Sequence, residues 1–230
     1  MYYPLIKPGI FLNRPNRFIA QVLVEGKTET VHVKNTGRCR ELLRPHARVM
    51  LEEAHNPKRK TKYSLISVYK NNMLVNMDSQ APNEVVWGAV QNGRIPEIPD
   101  VARLKREVTF GQSRFDLYFE TAHGQKGFVE IKGVTLEEEG IAKFPDAPTL
   151  RGTKHLRELI QAVRAGYQGF VFFLVQMKGI KYFTPHSRMD QDFSQALKEA
   201  EAAGVNILVY DSHVTPHEIT LGEKIEYFLK

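Results

Sequence analysis

Cysteine is almost absent from this sequence: its 230 residues hold one, Cys39. A single thiol excludes an internal disulfide and offers no partner spacing for a zinc site, which fits a reducing compartment. No apolar run is long enough to span a bilayer. The opening residues MYYPLIKPGI lack the basic and apolar regions of a signal peptide. The expectation is therefore a soluble, cytoplasmic protein. Internal repeats, low-complexity tracts and long flexible linkers are also missing.

What is present in excess is positive charge, and its placement matters more than its sum. The net charge is +6. Residues 1–80 hold 14 Lys or Arg against six Asp or Glu, whereas residues 81–230 hold 18 against 20. The segment from Lys34 to Lys62 alone carries nine basic residues against three Glu. A basic half beside a slightly acidic half predicts a polyanion partner, with nucleic acid the first candidate; a solvated basic surface is the plainer alternative.

The basic half reads as short strands. Residues 17–25 and 28–34 alternate around Gly26-Lys27 as a hairpin. Asn35-Thr36-Gly37 breaks the pattern, and Arg38 to Leu43 suits one helical turn. Residues 47–52, 63–70 and 72–77 add three strands. Five short strands with one small helical insert predict a compact OB-like β-barrel. Its cations fall mainly in loops: Arg14 and Arg17 before the first strand, Arg38, Arg40 and Arg44 in the insert, and Lys58, Arg59 and Lys60 at a tip after Pro57. Basic loops on a barrel can follow a phosphate backbone without reading bases. Few aromatics accompany them, so little suggests a base-stacking platform.

Ala81-Pro82-Asn83 marks a boundary, giving domains over 1–80 and 81–230. A helix is expected from Asn83, as its cap, to about Gln91, with Trp87 in the core. Strands are expected from Leu104 to Phe110 and at 169–175, the latter an apolar run buried on both faces. Helices are expected over about 149–166 and 189–203, and a last strand at 205–210. The acidic run Glu137-Glu138-Glu139 reads as part of a long solvated loop.

The stretch RFDLYFETAHGQKGFVEIK (114–132) sits at the centre of this order. Its two halves alternate with a period of two around a Gly-containing loop, as a β-hairpin does. Symmetry about His123 sets Asp116 opposite Glu130, with Lys132 two residues on. Facing carboxylates repel, so a fold that keeps them needs a reason. A shared hard cation such as Mg²⁺ is one, and an adjacent ammonium could then act on a metal-activated water or a phosphate. Ordinary charges on an exposed sheet face are the alternative.

The αβββαβ order, with Asp on the second strand and Glu-x-Lys on the third, resembles the PD-(D/E)xK nuclease core. Phe115 replaces the Pro of that motif. A narrower resemblance covers Arg14 to Tyr210. It is carried by Asn13 to Phe18, Asn35-Thr36-Gly37, Val75-Asn76, RFDLYF (114–119), VEIKGVTL (129–136) and FPDAPTLRGTKHLREL (144–159). These stretches resemble the sugar fermentation stimulation protein A (SfsA) family.

That resemblance implies an OB-like barrel followed by a restriction-endonuclease-like α/β domain. It also implies DNA binding without sequence specificity and a regulatory role in sugar metabolism. Asp116, Glu130 and the Ile131 carbonyl would hold Mg²⁺ or Mn²⁺, with Lys132 acting on the water or the scissile phosphate. Asp116, Glu130 and Lys132 would be the catalytic set of a Mg²⁺-dependent nuclease, the rival to a purely DNA-binding role. RNA is a third possible ligand. The DNA-contacting set would be Arg14, Arg17, Arg38, Arg40, Lys58, Arg59 and Lys60, with Arg151 and Lys154 from the start of the next helix. His155 beside them reads as a packing residue, and Asp146 as a turn residue. Relatives would be expected to carry a Glu in the first helix where this chain has Gly88; Glu84 is the only carboxylate there.

Overall fold

The computed structural model describes residues 1–229 apart from Thr36 and Pro57, so those two expected turn positions lie outside the described residues. The first sheet contains β1 (Ile6–Asn16), β2 (Ile19–Val24), β3 (Lys27–Val33), β4 (Arg48–Glu53), β5 (Tyr63–Lys70) and β6 (Met73–Asn76). Their order is β3-β2-β1-β4-β5-β6, and a parallel pairing of β3 with β5 closes the first five into a barrel. The hairpin β2–β3 turns on Glu25-Gly26, both with positive φ (49° and 80°), as a two-residue turn requires. Alternate apolar residues such as Val22, Val31, Val49 and Leu51 point inward and are buried.

β1 is the strand that the alternation does not announce. Pro8 and Pro15 fall inside it, and it serves two partners in turn, β4 through Ile6–Ile10 and β2 through Ile10–Asn16. Such a bent strand needs close backbone approach at the bend. Gly9 provides it, since a Cβ there would lie 2.6 Å from the Val22 side chain. The barrel thus takes β1 as its fifth strand, and the expected fifth, β6, extends the sheet beyond it.

The second half contains α1 (Ala81–Gln91), β7 (Val101–Phe110), β8 (Ser113–Thr121), β9 (Lys126–Val134), β10 (Leu136–Glu138) and β11 (Ile141–Phe144). It continues with α2 (Leu150–Arg164), β12 (Gln168–Val175), β13 (Tyr182–Pro185), α3 (Gln191–Ala202), β14 (Asn206–Val214) and β15 (Ile219–Lys224). Six strands form a mixed sheet in the order β15-β14-β12-β9-β8-β7, with β9, β12 and β14 parallel. β12 lies in its interior and is buried on both faces. Phe170, Phe172 and Leu174 join the core under α1, while Val171, Phe173 and Val175 join the core under α2 and α3. The αβββαβ order is present, with α1 on one face of the sheet and α2 on the other.

Two expectations change here. The segment after Lys132 is not a solvated loop: β10, β11 and β13 form a small sheet, and Glu137 is buried in an ion pair with Lys70 of the barrel. Desolvating that carboxylate is affordable because an ammonium meets it. The cap of α1 is Gln80 and not Asn83, which lies in the first turn.

The halves share buried structure. One core cluster runs from Val31 and Val75 in the barrel to Phe173 and Leu197 in the second half. Gln176 Nε2 donates to Asn76 Oδ1 at 3.0 Å and to the Asp78 carbonyl at 3.1 Å. Asn76 Nδ2 in turn donates to the Tyr3 hydroxyl at 3.1 Å. The first residues attach to the second half: the Met1 amino group donates to the Ile219 carbonyl at 2.7 Å, and Tyr2 bridges Glu218. Among the described residues, no helix is long and apolar enough to cross a membrane.

Candidate metal centre and nucleic-acid interface

The hairpin register is the one expected from symmetry. β8 pairs with β9 from Glu120↔Lys126 to Leu117↔Val129, which brings Asp116 and Glu130 next in line. There the ladder gives way to a side chain: Asp116 Oδ2 accepts the Ile131 amide N–H at 2.8 Å. Alternation along β8 also breaks at this point. Phe115 packs in the α2-side core, Leu117 and Phe119 in the α1-side core. Between the β7 partners of Phe115 and Leu117 stands Glu107, left-handed at φ 53°, which kinks the edge strand facing Asp116.

Each carboxylate is anchored by a different layer. α1 holds Asp116, whose Oδ1 accepts from Asn83 Nδ2 at 2.9 Å. α2 holds Glu130, whose Oε1 accepts from Lys132 Nζ at 2.6 Å and also meets His155 Nδ1. Arg151 Nε donates to His155 Nε2 at 3.4 Å, which leaves Nδ1 as the ring nitrogen that faces Glu130. Burial, and then the Glu130 charge, push the Asp116 carboxyl above its usual range, against the opposing pull of the Ile131 N–H, Asn83 and Lys132. Burial also works against the Glu130 charge, but the His155 hydrogen bond and Lys132 outweigh it and hold that carboxyl below the usual range.

One atom of this cluster has no partner. Glu130 Oε2 is buried and accepts no hydrogen bond among the described residues. A buried carboxylate oxygen left unpaired is costly, and a hard cation is the ligand that would satisfy it. The donor set is otherwise sparse. Among the described residues, no group of three or more His, Cys, Asp or Glu is arranged to hold a metal. Glu84 does not complete one, since its carboxylate is engaged by Arg106, which also stacks over Trp87 at 4.5 Å. Trp87 is therefore half-buried beneath a cation and not enclosed in the core. A Cβ at Gly88 would meet open space. Two carboxylates suit Mg²⁺, which keeps several waters and binds through one or two carboxylates plus phosphate. Asp116 opens on a cleft of about 630 Å³ lined by Ser79, Gln80, Asn83, Glu84 and Arg106.

The expected DNA-contacting residues fall into separate groups. Arg17, Arg38 and Arg40 are exposed near the end of β3, where the Phe18 carbonyl accepts the Val33 N–H at 2.8 Å. Arg14 lies behind them, its guanidinium donating to the carbonyls of Arg17, Asn35, Gly37 and Arg38 at 2.6–3.0 Å. Its hydrogen bonds are spent on holding that loop. The tip with Lys58, Arg59 and Lys60 lies elsewhere, beside Thr28 to Thr30 at the start of β3, and Arg59 donates to Ser64 Oγ at 3.0 Å. Arg151 joins the carboxylate cluster through His155, and Lys154 Nζ donates to the Gln112 carbonyl at 2.9 Å. Asp146 lies in the turn before α2, against Gly37 of the barrel. Cys39 is buried, and burial pushes its thiol up to about 12, which leaves it unreactive.

Sequence reasoning missed two members of the site. His155 flanks an apolar stripe and looks like a packing residue until α2 is laid on the sheet. Asn83 resembles a helix cap by its place after Pro82. Neither carries a local signal of its partner, because both partners are on β8 and β9.

A closed five-stranded barrel, followed by a mixed sheet that carries Asp and Glu-x-Lys between helical layers, defines an OB domain joined to a restriction-endonuclease-like domain. The family models agree in both halves: "SfsA N-terminal OB domain" matches residues 12–77, and "Sugar fermentation stimulation protein RE domain" matches residues 80–218. The chain belongs to the SfsA family. It is 58% identical over 230 residues to the sugar fermentation stimulation protein homolog of Alkaliphilus oremlandii (strain OhILAs), covering 98% of each chain. It is 55% identical over 223 residues to the homolog of Desulfitobacterium hafniense (strain Y51), covering 97% and 96%. The structure of Pyrococcus furiosus SfsA in complex with Ca²⁺ matches it with a TM-score of 0.90 at 29% identity, over 99% of this chain and 98% of that one.

Proposed function

We propose that this protein binds DNA without sequence specificity and holds a divalent cation, Mg²⁺ or Mn²⁺, at Asp116 and Glu130. The observation that carries the reading is the buried, unpartnered Oε2 of Glu130 in line with Asp116. The related archaeal protein, described in complex with Ca²⁺, supports the choice of a hard cation. The Ile131 carbonyl is the third ligand in this reading, and water or a phosphate oxygen would complete the shell. A bound cation there would offset phosphate charge and lower the pKa of a bound water. Arg17, Arg38, Arg40 and Arg151 supply the positive field that retains the phosphates, a contact that carries no base information.

A second reading is Mg²⁺-dependent hydrolysis of phosphodiester bonds. It is favoured by Lys132, whose ammonium sits on Glu130 where it could turn to a phosphate or an attacking water. A regulatory part in sugar metabolism, which the relatives' names suggest, would act through DNA binding.

The test is a binding titration on two unrelated duplexes, single-stranded DNA and RNA at several salt concentrations, with and without Mg²⁺ or Mn²⁺. Both duplexes should bind with similar affinity, falling linearly with log salt as counterions are released. Salt-independent binding, or none, would refute the reading. Product analysis of the Mg²⁺ arms decides hydrolysis, and Lys132→Ala should abolish any cleavage while leaving cation binding in place.

A further inference from the structure

Two of the large apolar side chains that stand in water lie along the contact between the barrel and the start of α2. Leu150, the first residue of α2, is 85% exposed, and Phe18, between β1 and β2, is 52% exposed. Neither belongs to a core cluster. Nor does either sit on a loose segment. The Thr149 N–H donates to Asp190 Oδ2 at 2.7 Å, and the Thr149 hydroxyl accepts the Gly152 N–H at 3.0 Å, so the start of α2 is pinned. The Phe18 N–H donates to Asn16 Oδ1 at 2.9 Å, and its carbonyl is held by Val33. A rigid backbone that keeps apolar side chains in water gains nothing for the fold from them.

A chain of contacts joins the two to each other and to the carboxylates. Arg14 ties the carbonyl of Arg17, next to Phe18, to those of Gly37 and Arg38. Gly37 lies so close to the turn before α2 that a Cβ would be 2.6 Å from Asp146 Oδ2. A cleft of about 320 Å³ runs along this contact, with Asn35, Lys143, Pro148 and Thr149 in its wall. Beyond Thr149 comes Leu150, then Arg151, which reaches His155 and through it Glu130. The exposed cations along this route are Arg17, Arg38, Arg40, Arg151 and Lys154, while the partly exposed carboxylates of Asp146 and Asp190 lie against Gly37 and Thr149. Cations beside isolated apolar tips suit a ligand with phosphates on one side and apolar faces on the other. DNA offers such faces where its bases leave the stack.

We propose that Leu150 is a wedge that enters the base stack beside the Asp116–Glu130 pair, and that Phe18 is a platform for an unpaired base. The preferred ligand is then DNA with locally unpaired bases. This inference rests on the DNA-binding reading above and specifies the form of DNA. It also adds one aromatic side chain to a barrel whose sequence gives little sign of a base-stacking platform.

The test uses the full chain in EDTA, so that neither cation binding nor cleavage intervenes. The probes are a short DNA duplex carrying 2-aminopurine at several positions and the corresponding single strand. The wild type should raise 2-aminopurine fluorescence on binding the duplex. Leu150→Ala should lose that rise while its Kd changes by less than about threefold, within what one surface apolar contact allows. Phe18→Ala should weaken single-strand binding by about fivefold or more, and Phe18→Trp should restore it. Both side chains are exposed, so the variants should fold, which their melting curves would confirm. Duplex binding without a fluorescence rise, a rise that survives Leu150→Ala, or unchanged single-strand binding by Phe18→Ala would overturn the proposal and leave DNA binding standing. Failure of the wild type to bind either probe would remove both readings.

Discussion

At the scale of single residues, the site is a compromise between two carboxylates and the groups that make them tolerable. Asp116 is propped by one amide N–H and Asn83, Glu130 by Lys132 and His155. Mg²⁺ or Mn²⁺ should raise the melting temperature, in proportion to about 2.7 kcal/mol at a hundredfold excess over Kd. Asp116→Asn should abolish that shift and leave the salt dependence of DNA binding nearly unchanged; calorimetry and thermal melts on the two proteins would check it. Asn83→Asp adds a third carboxylate 2.9 Å from Asp116 Oδ1 if it keeps the Asn geometry. It should lower the melting temperature without metal and tighten Mg²⁺ binding about tenfold, the equivalent of about 1.4 kcal/mol. A variant that binds Mg²⁺ no better than the wild type would show that the cation does not sit between α1 and β8.

At the scale of elements, the β10–β11 hairpin depends on the barrel. Burial works against the Glu137 charge, but Lys70 and the Gly140 N–H more than compensate and hold its carboxyl below the usual range. A carboxyl with a lowered folded pKa contributes stability that is present above its unfolded pKa and is lost as pH falls through the folded value. For Glu137 the loss begins below about pH 4.5. Lys70→Met should destabilise the protein at neutral pH by about 1–3 kcal/mol, because the carboxylate stays buried without its ammonium. Part of that difference should vanish in acid, because the variant's buried carboxyl protonates first and the wild-type carboxyl follows only at its own lowered pKa. Urea unfolding of the two proteins across this pH range is the measurement. The acidic run looked like a solvated loop because its ammonium is 67 residues away, and nothing in Glu137-Glu138-Glu139 tells which carboxylate turns inward.

At the scale of the whole molecule, the barrel and the nuclease-like half share one buried core cluster. A shared core and the buried Tyr3–Asn76–Gln176 network cross between them. Scanning calorimetry should therefore show one unfolding transition. Gln176→Ala would remove one of two donors to each of Asn76 Oδ1 and the Asp78 carbonyl, which keep the Asp78 and Ala81 N–H groups, at a cost of about 0.5–1.5 kcal/mol per bond. The transition should broaden or split if that network carries the coupling, and keep its shape if the apolar core does.

The period-two runs of the barrel, the fully apolar β12 and the symmetric 114–132 hairpin were legible in the sequence, because each is written in neighbouring residues and in the two-residue repeat of a strand. The order αβββαβ with Asp116, Glu130 and Lys132 followed from the same local patterns. β1 was not legible, since its prolines and its two successive partners erase the alternation. The partners of the carboxylates were not legible either: Asn83 and His155 reach them only when α1 and α2 are laid on opposite faces of the sheet. The exposure of Leu150 and Phe18 likewise depends on what folds nearby. Local geometry is set by neighbouring residues, whereas burial, pairing and exposure at distant positions are settled by packing, and it is packing that makes this pair of carboxylates a candidate site.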